Sequence, residues 1–333
     1  MAQSTTNSVW SFLLPLVFVL SSYLVLKMSG LSRGRSSLVN SLVSKMEAER
    51  SLEQMDRGLW YKVDLAKIRD QENIASKFVQ LSEDEATSAF IKHSFEQSDW
   101  LFTQLYYNFA KSLLSWFYCQ TDINGILARG SMFVFSKEQF LLLSSSISPP
   151  SFTPSSTLPA LLDLGSGDGR PTTSLSSFFD QTFVTEVSRP MQKLCTARGF
   201  KVLELDEWAK EANKYDVISA LNLFDRCDRP ITIIKDIHYS LKPSGLLVVA
   251  LVLPFRPYVE SVPSHKPTER MAITGERFEE QVESAVEVFE NEGFELKSWS
   301  RVPYLCEGDL NKPLYHLNNG LFVFKPKSKA WGN

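Results

Sequence analysis

The sequence predicts a doubly wound α/β fold with a helical extension in front of it, and three observations carry that expectation. Apolar runs alternate with helical patterns from Ala160 onward, a glycine-rich loop follows the first run directly, and an unbroken apolar octet, LLVVALVL, comes late in the series. Ala160–Leu164 reads as the first strand, Phe183–Val187 as the second, Lys201–Leu205 as the third and Tyr215–Leu221 as the fourth. A helix opened by Pro230 then carries Ile231, Ile234, Ile237 and Leu241 on one side, and Pro243-Ser244-Gly245 stops it. Leu246–Leu253 is a fully apolar strand suited to the centre of a parallel sheet. Phe278–Phe289 is an amphipathic helix ended near Gly293, and strands around Phe294–Val302 and Leu321–Lys325 complete a seven-stranded, Rossmann-like sheet over residues 160–327.

Composition narrows the function. The 333 residues are 44% hydrophobic, enough to bury a core in one large domain or two modest ones. A formal net charge of −3 leaves no excess of Lys and Arg for tracking phosphate backbones, so nucleic acid is not an expected partner. Cys119, Cys195, Cys227 and Cys306 form no CxxC pair and only four histidines accompany them, which argues against a metal site or a disulfide framework. Nothing calls for an obligate partner chain.

Residues 1–31 hold Val9–Leu26, an uncharged apolar stretch of eighteen residues. As a helix it reaches roughly 27 Å, close to a bilayer's hydrocarbon thickness. Lys27, Arg33 and Arg35 follow it and no basic residue precedes it, which favours a membrane anchor that keeps the C-terminal bulk cytosolic; a cleaved signal peptide is the alternative. The endoplasmic reticulum or another endomembrane is expected, with mitochondria as the second location. Residues 32–143 look helical and are expected to pack on the α/β domain that follows. Within them Phe95–Tyr118 loads one broad helical face with aromatics, read as core or a lid, and Ser136 with Gln139 makes a capping box. The Ser/Pro-rich stretch 144–159 reads as a linker at a domain boundary.

The loop after the first strand is Asp163-Leu-Gly165-Ser166-Gly167-Asp168-Gly169-Arg170. A dinucleotide loop wants G-x-G-x-x-G and tolerates no carboxylates where a pyrophosphate rests. Here the sixth position is Arg170, and Asp163 and Asp168 suit a cation. S-adenosylmethionine, with an α-ammonium and a sulfonium and no phosphate, complements such a loop. Glu186, twenty-one residues after Gly165 at the end of the second strand, is placed to accept hydrogen bonds from ribose hydroxyls. Asp206 and Glu207, ending the third strand, are candidates to approach the adenine, with a solvated turn as the alternative for Asp206. The loop, the strand-two acid, the LKPSG turn and the strand count together resemble class I methyltransferases.

The reaction class rests on the fourth strand, which runs into Asn222-Leu-Phe-Asp225-Arg226. It lacks the proline pair and aromatic of amino-directed nucleic acid methyltransferases. Asn222 and Asp225, three residues apart, can hold a small polar nucleophile; the alternative for Asp225 is a helix N-cap. The strings LLDLGSGDG, YDVISALNLFDRCD, ALVLPFRPYVE and RVPYLCEGD resemble the DREV or methyltransferase-like nine family, protein-histidine N-pros-methyltransferases, from about Trp60 to Pro326. Ser166 stands where that family has alanine, and Arg170-Pro171 replaces an ordinary helix start. The resemblance implies methylation of protein substrates at His-x-His motifs with a small middle residue. It implies catalysis by Asp225 and Asn222, and cofactor contacts from Asp163, Gly165, Ser166, Gly167, Glu186, Asp206, Glu207, Asn222 and Tyr304, with S-adenosylmethionine as the cofactor and no metal. A class I enzyme acting on a small molecule and a non-catalytic cofactor-binding scaffold are the alternatives. His238, His265 and His316 read as core or surface groups and Cys306 as packing. Arg256 and Glu260 lie at the edge where substrate binds or serve an ordinary loop, and Glu307 and Asp309 attract a cationic peptide or cap a turn.

Overall fold

A sheet of eight strands orders the chain. The computed structural model describes residues 31–147, 152, 157–260 and 262–327, so Val9–Leu26 lies outside the described residues. Among those residues no helix is long and apolar enough to cross a membrane. The chain divides into two compact units, Met1–Gln54 with Leu310–Lys312 and Met55–Asp309 with Pro313–Asn333. Helix α1 (Leu31–Gln54) is the only helix described in the first unit.

The second unit begins with three 3-10 turns, then α2 (Glu85–Asp99), α3 (Leu101–Leu114), α4 (Gln120–Leu127), β1 (Met132–Phe133) and α5 (Lys137–Ser144). The doubly wound part follows: β2 (Leu158–Leu164), α6 (Arg170–Ser176), β3 (Phe179–Thr185), α7 (Arg189–Ala197), β4 (Lys201–Val202), β5 (Tyr215–Leu221), α8 (Pro230–Ser240), β6 (Leu241–Val252), α9 (Phe278–Asn291), β7 (Phe294–Glu307) and β8 (Leu314–Pro326). The order across the sheet is β1-β7-β8-β6-β5-β2-β3-β4. The strands β6, β5, β2, β3 and β4 run parallel, and β8, β7 and β1 add antiparallel pairs. Strand order reverses between β2 and β5, which places a ligand crevice outside their carboxyl ends.

The fold class stands as expected, with differences that have local causes. The eighth strand, β1, pairs Met132 with Cys306 and Phe133 with Leu305 on the far end of β7, so a segment read as part of the helical extension joins the sheet. The third strand of the pattern shortens to Lys201–Val202 because it is an edge, and the charged residues after Leu203 leave it for a turn. Helix α8 ends at Ser240, where the Leu241 amide donates back to Ile237, and the LKPSG segment read as a stop is the first part of β6, bulged against β5 between Tyr215 and Val217. The aromatic stretch Phe95–Tyr118 is not one helix, for it breaks at Trp100, whose ψ of 79° is not helical. The capping box of Ser136 and Gln139 opens α5 as expected.

The boundary between compact units falls after Gln54 rather than within 144–159. Residues 55–143 are stitched to the sheet: the Val79 amide donates to the Trp299 carbonyl at 2.8 Å and the Trp299 indole donates to the Ile74 carbonyl at 2.7 Å. Nor is the Ser/Pro stretch devoid of packing, since Phe152 lies edge-on to Phe140 and Phe178 at centroid distances of 4.8 and 5.5 Å. One face of the sheet, with Val249, Leu251, Phe322 and Phe324, meets Ile234 and Ile237 of α8 and Val282, Val286 and Phe289 of α9 to form the main core.

On the sheet's central strand Asp163 is 1% exposed. It accepts from the Ser219 hydroxyl of β5 at 2.7 Å and from the Thr172 hydroxyl of α6 at 2.5 Å. Burial pushes its carboxyl up to about 6, with the charge of Glu186 adding to the rise and the two hydroxyls opposing it. Between the ordinary value of 3.8 and about 6, the folded chain keeps a proton that the unfolded chain releases, so stability falls as pH rises through that window. Relative to Asp163→Asn, urea unfolding of the wild type is expected to lose roughly 2 kcal/mol between pH 4 and pH 7. A pH-independent difference between the two proteins contradicts the burial of this carboxyl.

Candidate functional site

The glycine loop between β2 and α6 bends back because its three glycines take left-handed backbone, with φ of 70° at Gly165, 56° at Gly167 and 77° at Gly169. Side chains other than glycine pay about 1–2 kcal/mol there. The loop is anchored to β3 by the Gly165 and Ser166 amides, which both donate to the Thr185 carbonyl at 3.0 Å. Close by, the Gly167 amide donates to Glu186 Oε2 at 2.9 Å and the Ser188 amide to Glu186 Oε1 at 2.8 Å. Glu186 stands one residue beyond the end of β3, buried. Each of its oxygens spends one acceptor position on the backbone and keeps another.

Glu186 also lines a groove of about 620 Å³ with Val187, Arg189, Gln192, Glu204 and Leu205. The acids proposed from the end of the third strand are placed differently. Asp206 and Glu207 are exposed in the turn after β4 and pair with Lys210 at 3.8 and 3.9 Å, and the residues of this turn that line the groove are Glu204 and Leu205. Ser166 is buried and faces Cys195 of α7, Oγ to Sγ 3.3 Å, so it fastens the loop to the helix behind it. Asp163 works from the sheet through Thr172 and Ser219. Asp168, offered with it as a partner for a cation, already has partners: Arg170 Nε at 3.6 Å and Arg198 Nη2 at 3.8 Å.

At the end of β5 the chain turns sharply. Asn222 has a φ of 59°, and its amide donates to the Ala250 carbonyl of β6 at 2.9 Å. Its side-chain oxygen and nitrogen are both enclosed and have no hydrogen-bond partner among the described residues. Asp225 is 4% exposed. Its Oδ2 meets Arg226 Nε at 3.2 Å, and its Oδ1 is enclosed without a partner. Burial raises the Asp225 carboxyl above its ordinary value, against the pull of Arg226. It caps no helix: α8 starts after Arg229.

Buried polar atoms left unpaired cost about 1–3 kcal/mol each, so three of them at one strand end mark a place built to meet a ligand. A cavity of about 400 Å³ opens against Asp225, lined further by Arg226, Val252, Pro254, Arg256 and His316. His316 thus lines this cavity, stacked on Trp60 at 4.9 Å, where the sequence assigned it to core or surface. Arg256 lines it too, while Glu260 accepts from the Thr121 hydroxyl at 3.1 Å and ties the loop to α4.

Tyr304 of β7 stands close enough to Asp225 and Cys306 for their charges to act on it; burial is the larger cause that drives its hydroxyl well above the ordinary range, so it stays a donor. Its hydroxyl donates to the Met132 sulfur. Met132 in turn reaches the loop, its Cε 3.4 Å from where a Cβ on Gly167 would lie. Glu307 is consumed by its own neighbours, with Arg129 at 3.9 Å and Arg170 at 3.6 Å, and Asp309 accepts from the Tyr315 hydroxyl at 3.1 Å.

The structure therefore gathers Gly165, Gly167 and Glu186 at one wall and Asn222, Asp225 and Tyr304 at the other, and leaves Asp206 and Glu207 outside. Sequence reasoning missed Met132, Arg226 and Asn319. Asn319 of β8 is 0% exposed, pairs with Val252, and has a side-chain amide with no partner among the described residues. Its signal was an Asn-Asn-Gly run in a segment that is otherwise apolar toward its end.

A family model described as DREV methyltransferase matches residues 60–326 of the chain. Among solved structures, a putative type 11 methyltransferase from Sulfolobus solfataricus is similar at 16% identity over 53% of this chain and 88% of that one, with a TM-score of 0.35. A complex of the Haloferax volcanii Trm112 methyltransferase activator with a putative methyltransferase gives 18% identity over 54% and 86%, TM-score 0.38. The DhpI–SAH complex gives 15% identity over 51% and 78%, TM-score 0.35.

Alanine at the two inner glycines separates strain from contact. Gly167→Ala is expected to lower stability by about 1–2 kcal/mol through its left-handed backbone. Gly165→Ala is expected to cost more, because its Cβ would come within 2.9 Å of Leu223 Cδ1. Thermal unfolding of the two variants checks this order, and the reverse order contradicts the loop geometry.

Proposed function

The chain belongs to the DREV methyltransferase family, and on that premise we propose that it methylates the pros nitrogen of histidines in His-x-His segments of other proteins. It is an S-adenosylmethionine-dependent methyltransferase of the class I fold. The residues present fit that donor: the bare backbone of Gly165 and Gly167 allows close approach, Glu186 keeps acceptor positions for ribose hydroxyls, and the Asn222 amide is enclosed and unpaired. When bound, S-adenosylmethionine supplies an electrophilic sulfonium methyl group.

The observation that carries the acceptor reading is the divided carboxylate of Asp225. Arg226 engages Oδ2 and Oδ1 remains enclosed and unpaired, so one oxygen is held in place and the other is free to accept. A neutral imidazole, with an unperturbed pKa of about 6.5, is already a nucleophile near pH 7 and needs no strong base. What it needs is a choice of nitrogen. A tele N–H donated to Asp225 Oδ1 fixes the tautomer that leaves the lone pair on the pros nitrogen. The same carboxylate then stabilises the positive charge that develops on the ring. Asn222, anchored to β6 through its backbone, holds the acceptor and donor walls in register, and the remaining gain comes from alignment. The carboxyl, raised by burial, must be ionised and the acceptor imidazole neutral, so activity falls on acidification from both causes.

The membrane anchor and endomembrane location expected from Val9–Leu26 belong to this proposal as well, with the catalytic unit on the cytosolic side. The small-molecule enzyme and the scaffold remain the competing readings, and one experiment separates them. With a His-Ala-His peptide and S-adenosylmethionine, the full chain is expected to add one methyl group to a ring nitrogen, read by mass spectrometry. Asp225→Ala is expected to keep its affinity for S-adenosylhomocysteine and lose roughly 10²–10³-fold in turnover. Tight cofactor binding with no methylated peptide contradicts the substrate assignment, and parallel loss of binding and turnover contradicts the role given to Asp225.

A further inference from the structure

Helix α3 and the residues that flank it turn apolar side chains outward. Trp100, Phe102, Leu113, Trp116, Phe117 and Tyr118 are all exposed, Phe102 to 87% and Trp116 to 84%. The reading of this stretch as core does not hold. Phe102, Tyr106 and Leu113 recur at helical spacing on the exposed side, while Gln104 is buried at 2% and its amide donates to the Gln97 carbonyl at 2.9 Å. A polar residue is thus fixed inward and the aromatic ones are left in water. Single exposed apolar residues need no explanation, but a contiguous aromatic patch marks an interaction site.

We propose that this face docks on the surface of a lipid bilayer. Its composition is interfacial: Trp100 and Trp116 with Tyr106 and Tyr118 carry amphipathic rings that sit at headgroup level, and Phe102, Phe117 and Leu113 supply the deeper contacts. From Trp100 to Tyr118 the only charged side chain is Lys111, which is attracted to anionic lipid, and no acidic residue opposes it. The chain also brings its own tether. Val9–Leu26 is long enough to enter a bilayer, and α1, with 24 residues, is roughly 36 Å long. Met55, where the catalytic unit begins, follows α1 directly in the chain, so uptake of the segment by a bilayer tethers that unit to it. A weak interfacial contact then suffices, because tethering raises its effective concentration. The bilayer is favoured over a peptide because Phe102, Trp116 and Phe117 stand 79–87% in solvent beside interfacial rings and a single cation.

The test uses the full chain reconstituted into phosphatidylcholine–phosphatidylserine vesicles, with and without brominated acyl chains. Subtracting the emission of the Trp100→Phe/Trp116→Phe double variant isolates Trp100 and Trp116. They are expected to emit at shorter wavelength than in detergent-free solution, to be quenched by brominated lipid, and to lose access to acrylamide. Replacing Phe102, Leu113 and Phe117 by Gln, all exposed and so without effect on the core, is expected to abolish the lipid quenching and restore acrylamide access. Tryptophans still quenched by acrylamide in vesicles would overturn the proposal, as would a chain that does not float with the vesicles. Protection from both quenchers would overturn it in another way, showing the face covered by protein: by Val9–Leu26, a second copy or a substrate. None of these outcomes depends on which acceptor is methylated.

Discussion

Asp163 sits with its carboxylate between the hydroxyls of Ser219 and Thr172, and through it β2, β5 and α6 share one fixed point. Everything that meets at the sheet's edge depends on that point. The glycine loop leaves β2 immediately beyond it, and Asn222 leaves β5 three residues after Ser219. The loop is then closed from the other side by Thr185 and Glu186 at the end of β3. A parallel register of this kind is set by burial on both faces, so a single displaced strand would carry its site residues out of reach of the others.

The site is assembled from atoms that the fold itself leaves unsatisfied. Elsewhere the carboxylates of this edge are used up: Asp168 by two arginines, Glu307 by Arg129 and Arg170. Asn222, Asp225 and, on β8, Asn319 keep enclosed side-chain oxygens without partners among the described residues, whereas Arg129 and Arg301 each leave a single nitrogen unpaired and spend the rest of the guanidinium on neighbours. Such atoms lower stability, and a fold retains them where a ligand repays the cost. The division between paired and unpaired acids says which carboxylates are scaffold and which are reagent, a distinction that charge alone does not make.

Much of this edge was legible in the sequence. Periodicity located the strands, and the loop, Glu186 and the Asn222–Asp225 pair followed from their positions at strand ends. What was not legible is what depends on partners distant in the chain. Asp206 looked like a site acid because the third strand was read through Leu205, but an edge strand with two paired residues releases it into solvent. Ser166 and Asp163 were read as facing the cofactor, and their partners Cys195, Thr172 and Ser219 can be identified only once helices and strands are stacked. Met132 carried no signal of its own, since two residues that add a strand to β7 cannot be told from a loop by pattern. The aromatic stripe of α3 has the periodicity of a buried face, and periodicity does not say whether that face meets protein or lipid.

The regiochemistry of methyl transfer reports on Asp225. If one of its oxygens chooses the ring nitrogen, hydrolysis of the methylated His-Ala-His peptide and chromatographic separation of the two methylhistidines should yield the pros isomer from the wild type. In Asp225→Asn the donor Arg226 Nε would take the amide oxygen and leave the NH2 group where Oδ1 stood, so that preference should be lost together with most of the rate. Tele-methylhistidine from the wild type, or an unchanged pros preference in Asp225→Asn, would contradict that role for Asp225.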